Sequence, residues 1–210
     1  MTDARAAFHA AVTPGLFRGS LPDWQREPLD AILDEGIRRD RRLSEVAYVL
    51  ATAYWETGRF KHMEEIGEGA GRDYGEAVLV SRGKRLSYHG RGFVQLTWLA
   101  NYARMALILG VDLVNEPDRA KEPALAARIL WEGMIRGSFT GKSLADYFGE
   151  DEADYVEARR IVNGTDKAEG IAEIAREFAK ALEPLRTPGA LTPARRACAL
   201  GRGDCPGVAA

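Results

Sequence analysis

The stretch AYWETGRFKHMEEIGEG, residues 53–69, ends an apolar, helix-patterned run on a glutamate and follows it with more carboxylates in glycine-rich chain. At about 100° per residue, Glu56 falls beside Val49 and Ala53 on the margin of the apolar stripe. It also occupies the last helical turn, where the helix dipole leaves partial negative charge. Desolvation and that dipole both disfavour a carboxylate, so the Glu56 carboxyl is expected to titrate above its ordinary range. A carboxylic acid that stays protonated near neutral pH is what a general acid requires. The plainer reading is a helix-end glutamate that reaches water past Gly58. Glu64, Glu65, Glu68 and Glu76 follow. One of them, ionised and on the opposite side of a bound sugar, would activate water as a general base. Inverting glycosidases hold such a pair about 6.5 to 9.5 Å apart, which leaves room for that water. A helix end followed by a loop suits the spacing, and residue type alone does not choose among the four.

A second stretch, YHGRGFVQLTWLANYARM over residues 88–105, carries groups suited to binding. Its Gly-Arg-Gly turn lets backbone approach another chain or a ligand closely. Gln95, Thr97 and Asn101 bear neutral hydrogen-bonding groups that suit the acetamido and hydroxyl groups of an amino sugar. On an extended segment Gln95 and Thr97 would share one face. Tyr88, Trp98 and Tyr102 offer ring faces. Plainer alternatives are Thr97 as a helix cap and Trp98 as core.

Helices separated by turns must position these residues. Ser20 stands to cap a helix over about 21–36, with Asp23 in capping-box position. Ser44 stands to cap the next, in which Val46, Val49, Leu50 and Ala53 recur at helical spacing. Thr97 precedes a helix over 98–109 that Gly110 closes. Pro123 suits the first turn of a helix reaching about Arg136. Ser143, Asp151 and Asp166 read as starts of three more, the last ending near Pro184. The acidic run 150–154 reads as a solvated helix start. Strand signal is weak, with a short ribbon over 88–96. The expected class is mainly α, with a small irregular or β-ribbon segment around residues 58–97. From Thr187 onward the chain is rich in Pro, Gly, Ala and Arg with little to bury, so a domain over 1–186 and a flexible tail over 187–210 are expected.

Composition excludes several classes. Twenty-nine Lys and Arg against thirty-one Asp and Glu give a formal charge of -2, without the basic excess of a nucleic-acid binder. No apolar run approaches the length of a membrane span. Asp3 near the start and the lack of a continuous apolar region argue against a secretory leader, so synthesis in the cytoplasm is expected. Cys198 and Cys205 are too few for a disulfide framework or a zinc site and read as reduced thiols in the tail. Arg195, Arg196 and Arg202 give that tail some positive character. His9, His62 and His89 show no metal-ligand spacing, so no metal or cofactor is expected. Nothing calls for more than a monomer.

Together YWETG, EEIGEGAGRDYG, YHGRGFVQLTWLANY and ARRIVNG resemble glycoside hydrolase family 19, the chitinase-type and phage-endolysin-type enzymes of the lysozyme-like superfamily. The resemblance implies a lysozyme-like helical fold and an inverting single displacement without a metal or covalent intermediate. It assigns the general acid to Glu56 and the general base to Glu65 rather than Glu64. It gives Thr97 the holding of the attacking water and gives Gln95, Asn101 and Asn163 substrate contacts, while Tyr88, Arg91 and Trp98 shape or line the cleft. Plant-type members carry a further acidic residue after their INGG run. Here Asp166 stands nearby and doubles as a helix-capping candidate. The long loops, disulfides and chitin-binding module of many plant members are missing. The compact bacterial or phage type that remains implies peptidoglycan as substrate, in endolysin-like cell-wall lysis, with a holin or phage particle as the route out of the cell. Chitin is the alternative glycan. A lytic transglycosylase using Glu56 alone and a non-catalytic glycan-binding or phage-particle component are the rival functions.

Overall fold

The computed structural model describes residues 2–72, 74, 78–80 and 84–185. Among these residues six α-helices dominate: α1 (Thr2–Gly15), α2 (Asp23–Arg38), α3 (Leu43–Glu56), α4 (Leu99–Leu109), α5 (Pro123–Arg136) and α6 (Ala168–Ala181). One antiparallel ribbon joins β1 (Val78–Val80) to β2 (Lys84–Leu86), with Leu79 opposite Arg85. Short 3-10 turns cover Pro117–Lys121, Leu144–Asp146, Glu157–Ile161 and Glu183–Leu185. The class is mainly α, with the ribbon inside the irregular 58–97 segment. Glu76 and the expected tail, with both cysteines, lie outside the described residues.

Helix α3 is the axis of the molecule. Every residue from Glu45 to Tyr54 is buried, the pattern of a helix surrounded on all sides. It packs against α6 and α2, and α2 packs in turn on α5. The α2–α5 contact is close because Gly36 has no side chain: a Cβ there would stand 2.7 Å from the Trp131 ring. Trp131 Nε1 donates to the Ile32 carbonyl at 3.0 Å across the same contact. A second cluster, with Tyr88, Leu96, Tyr102, Met105, Leu125 and Ile129 among its members, lies under the 88–98 loop and joins α4 to α5. Phe93 from that loop belongs to the first cluster, so the loop bridges the two.

Helix starts depart from the simple capping signals. Pro22, not Ser20, precedes α2, and no side chain caps it, so the Ser20–Asp23 box is not formed. Arg42 rather than Ser44 precedes α3, because Glu45 Oε2 reaches back to accept from the Arg42 amide at 3.0 Å. Trp98 precedes α4, and the Thr97 hydroxyl donates instead to the Gln95 carbonyl at 2.9 Å. Pro123, Gly110 and Ser143 take their expected positions. Ser143 opens only a 3-10 turn, where its amide donates to Asp146 Oδ2 at 2.7 Å. The acidic run 150–154 is surface turn and bridge, not a helix start. Val156 precedes the following 3-10 turn, while Asp154 Oδ1 accepts from the Glu157 amide at 3.0 Å, so Asp151 starts nothing. Lys167, not Asp166, precedes α6. Helix α1 matches no expected element. Its Phe8 and Val12 bury against the core, and its Arg5 and His9 pair with Asp30 of α2.

Candidate active site

The chain turns sharply where α3 ends, and that turn exposes Glu56. Gly58, Arg59 and Phe60 all take left-handed backbone, with φ of 57°, 66° and 64°. For the two non-glycine residues this costs roughly 1–2 kcal/mol each. Burying the Phe60 side chain returns roughly 1.5–3 kcal/mol, as it packs edge-on to Phe93 and Tyr54. Hydrogen bonds hold the rest: the Arg59 amide donates to the Tyr54 carbonyl at 2.7 Å, and Gln25 Nε2 donates to the Arg59 carbonyl at 2.8 Å. The Glu56 side chain is 21% exposed.

Arg159, which the sequence reading did not single out, reaches Glu56 from the 3-10 turn Glu157–Ile161. Its Nη1 donates to Glu56 Oε1 at 2.5 Å, and its Nε donates to the Asp166 carbonyl at 3.1 Å. The guanidinium is nearly sealed, at 4% exposure. Neighbouring Arg160 points to solvent and pairs with Glu157. The only sequence signal was this arginine pair in a short helical turn, where one member must face inward. Asn163 follows the same turn, its amide donating to the Arg159 carbonyl at 3.1 Å, and its side chain is exposed. The Asp166 carboxylate is 77% exposed, with Lys167 as its neighbour, and caps no helix.

Glu65 sits in a second group of contacts. Its amide donates to the Gly90 carbonyl at 2.8 Å, and the Gly90 amide donates back to Glu65 Oε2 at 3.1 Å. The Tyr74 hydroxyl donates to Oε1 at 2.7 Å, and Arg72 Nη1 stands 3.9 Å away. Burial pushes the Glu65 carboxyl up, but Tyr74, the Gly90 amide and Arg72 outweigh it and hold the carboxyl below its ordinary value. The Tyr74 ring packs edge-on to Trp98 with centroids 5.4 Å apart, and Trp98 is half exposed. Tyr74 was legible only as one letter of a motif, because its hydrogen bond depends on how the loop folds back.

Glu64 is committed elsewhere. Lys121 Nζ lies 3.0 Å from both of its oxygens, and His89 Nε2 lies 2.9 Å from Oε1. Arg91 is 5% exposed and stretches from Asp118 to the Ser87 carbonyl and the Tyr102 hydroxyl. Tyr88 and Tyr102 are wholly buried against each other, so neither offers a ring face to a ligand. These residues support the loop from beneath.

The 92–98 loop does not run extended. Gln95 has a φ of 51°, which breaks the period-two relation expected between it and Thr97. Gln95 Nε2 donates to the Gly92 carbonyl at 3.1 Å, and Asn101 Nδ2 donates to the Thr97 carbonyl at 2.9 Å. Gln95, Thr97 and Asn101 are half-buried, and one side-chain hydrogen bond ties each to the loop, Asn101 from the first turn of α4. The Gly-Arg-Gly turn does bring backbone close: a Cβ on Gly92, at φ 77°, would lie 2.5 Å from the Ala120 carbonyl oxygen. The structure therefore gathers Glu56, Arg159 and the turn that carries Asn163 in one group, and Glu65, Tyr74 and Trp98 with the 92–98 loop in another. The short 57–63 segment links them, its Met63 carbonyl accepting from the Gly92 amide at 2.8 Å. Among the described residues no three His, Cys, Asp or Glu side chains come together as a metal-binding group, and no helix is long and apolar enough to cross a membrane.

Tyr74→Phe tests the second group. Removing the hydroxyl takes away a bond that favours the Glu65 carboxylate, so if Glu65 is the general base expected from the sequence, the acid limb of a pH–rate profile moves to higher pH. The rate at the optimum falls about tenfold, the worth of one hydrogen bond to a charged group. The ring keeps its contact with Trp98, so the thermal midpoint stays close to wild type. An unmoved acid limb would mean that Glu65 is not the ionised group that turnover requires.

No family model matches the chain. An endochitinase of Arabidopsis thaliana is 37% identical to it over 96 residues, 44% of this chain and 33% of that protein. A basic endochitinase of Brassica napus is 37% identical over 96 residues, 43% of this chain and 35% of that one. The chain thus spans about a third of the length of the curated relatives it matches. Chitinase C from Streptomyces griseus HUT6037 superposes with a TM-score of 0.62 at 20% identity, over 89% of this chain and 79% of that structure. A bacterial family 19 chitinase gives 0.60 at 22% identity, over 85% and 93%. These solved structures share the fold, a helical lysozyme-like one.

Proposed function

We propose that this chain, which resembles glycoside hydrolase family 19 in both sequence and fold, is a glycosidase that cleaves β-1,4 bonds between amino sugars with inversion. The observation that carries this is the way its two carboxylates are held. Glu65 is held ionised by Tyr74 and the Gly90 amide, as a general base must be. Glu56 ends a buried helix with Oε1 fixed by Arg159, which leaves Oε2 to carry a proton. Oε2–H protonates the glycosidic oxygen as the bond to the anomeric carbon breaks. Glu65 takes a proton from water as that water attacks the same carbon from the opposite face. Glu56 becomes a carboxylate in this step, and Arg159 is already in place to stabilise the charge that develops. Thr97 is assigned the water, Gln95, Asn101 and Asn163 the sugar substituents, and Trp98 an exposed ring face.

Chitin-type glycan is the substrate we favour. The relatives and solved structures above are named as chitinases or endochitinases. The expectation of peptidoglycan rested on missing loops and disulfides, which is a weaker ground, so the two glycans exchange places. Mass spectrometry and proton NMR of digests of chitohexaose and of purified peptidoglycan test this together. The expected result is shorter chitin oligosaccharides that first appear as the α-anomer. Cleavage of peptidoglycan alone would restore the other substrate, and anhydro-sugar products would make the chain a transglycosylase.

A further inference from the structure

Behind Glu56, helix α3 carries two hydroxyls that the mechanism does not use. Tyr48, Thr52 and Glu56 follow one another at four-residue intervals and so line one stripe of the helix. Tyr48 and Thr52 are both wholly buried. The Thr52 hydroxyl lies beside the Tyr48 phenol, which also feels the charges of Arg159 and Glu56. Beyond their approach to each other, neither oxygen has a hydrogen-bond partner among the described residues. Buried hydroxyls are rarely left so, and a polar recess of this kind normally holds an ordered water that makes about three hydrogen bonds. The recess is rigid: the Tyr48 ring lies 5.5 Å from Phe148 and stacks on Tyr155 at 6.4 Å. Burial pushes the Tyr48 phenol far above its ordinary range, so it serves as a neutral donor and acceptor.

We propose that Tyr48 and Thr52 are positioning residues for the Glu56–Arg159 pair and act through one ordered water held between their hydroxyls and the guanidinium. The water fixes the guanidinium plane, and the guanidinium fixes which Glu56 oxygen faces the substrate. This rests on the reading of Glu56 as the general acid. The outward residues of the site are untouched, so substrate binding does not depend on it.

Two measurements test the proposal. An atomic-resolution crystal structure of the wild type should show one water within hydrogen-bond distance of both Tyr48 Oη and Thr52 Oγ1. In Thr52→Val that water should be gone and Arg159 should be shifted. With chitohexaose, Thr52→Val and Tyr48→Phe should each lower kcat by about ten- to a hundredfold, the cost of misplacing a reacting group, with KM within about twofold. Thr52→Ser should restore kcat, because it returns the hydroxyl and not the methyl. A dry recess in the wild type overturns the proposal. So does a Thr52→Val protein with an unmoved Arg159, or one with wild-type kcat. The reading of Glu56 fails separately, through a Glu56→Gln protein that keeps its activity.

Discussion

Glu56→Gln should lose turnover of chitohexaose by at least about a thousandfold while keeping its fold and its affinity for the glycan. The substitution keeps the length of the side chain, and its carbonyl oxygen still accepts from Arg159 Nη1, which stands 2.5 Å from Oε1 in the wild type. What it removes is an acidic proton. General acid–base catalysis typically contributes about 10²–10⁴-fold to a rate, and protonation of a poor leaving group lies at the high end. Binding energy comes from other groups, so KM should stay within about threefold. The thermal midpoint should stay within a few degrees of wild type, because the amide replaces a neutral acid and keeps the hydrogen bond from the nearly sealed Arg159. A variant with a lost fold would report on stability alone, so circular dichroism and glycan binding are measured beside the rate. Retention of near-normal turnover would remove Glu56 from the chemistry.

Why Glu56 was legible and its partner was not is a matter of distance along the chain. The stripe Val46, Val49, Leu50 and Ala53 announces a buried helix, and Glu56 falls where that helix must end. Arg159 stands 103 positions away, and no local pattern says which of two consecutive arginines turns inward. The helix boundaries show the same limit. Ser20 and Ser44 are good caps in isolation, yet Glu45 reaching back to the Arg42 amide moves the start of α3. Pro123 and Gly110 were readable because their preference is set by their own backbone chemistry and needs no partner. The loop over 92–98 failed for the opposite reason. Gln95 and Trp98 adopt left-handed backbone, at φ 51° and 75°, which packing against Tyr88, Gly92 and Tyr74 enforces and residue type disfavours. The rings of Tyr88 and Tyr102 looked like binding platforms because aromatic residues serve equally well as floor and as surface. Only their burial decides between the two.

The adjacent pair Glu64 and Glu65 offers the sharpest separation of chemistry from support. Glu65→Gln should lower kcat by about a hundredfold or more, since the amide cannot take a proton from the attacking water. Glu64→Gln should keep kcat within about threefold and lose stability instead. Burial pushes the Glu64 carboxyl up, but His89, Lys121 and Arg91 outweigh it and hold it below its ordinary value. A carboxyl lowered in the folded state contributes stability above its unfolded pKa and loses it as pH falls through the folded value. The gap in thermal midpoint between wild type and Glu64→Gln should therefore be widest near neutral pH and close in acid. Azide adds a chemical check, because it attacks an anomeric carbon without a proton to give up. It should restore turnover to Glu65→Ala, where a base is missing, and leave Glu56→Gln inactive, where an acid is missing. An inactive Glu64→Gln beside an active Glu65→Gln would reverse the assignment. It would also require the Lys121 and His89 contacts to open when glycan binds, since both Glu64 oxygens are occupied without it.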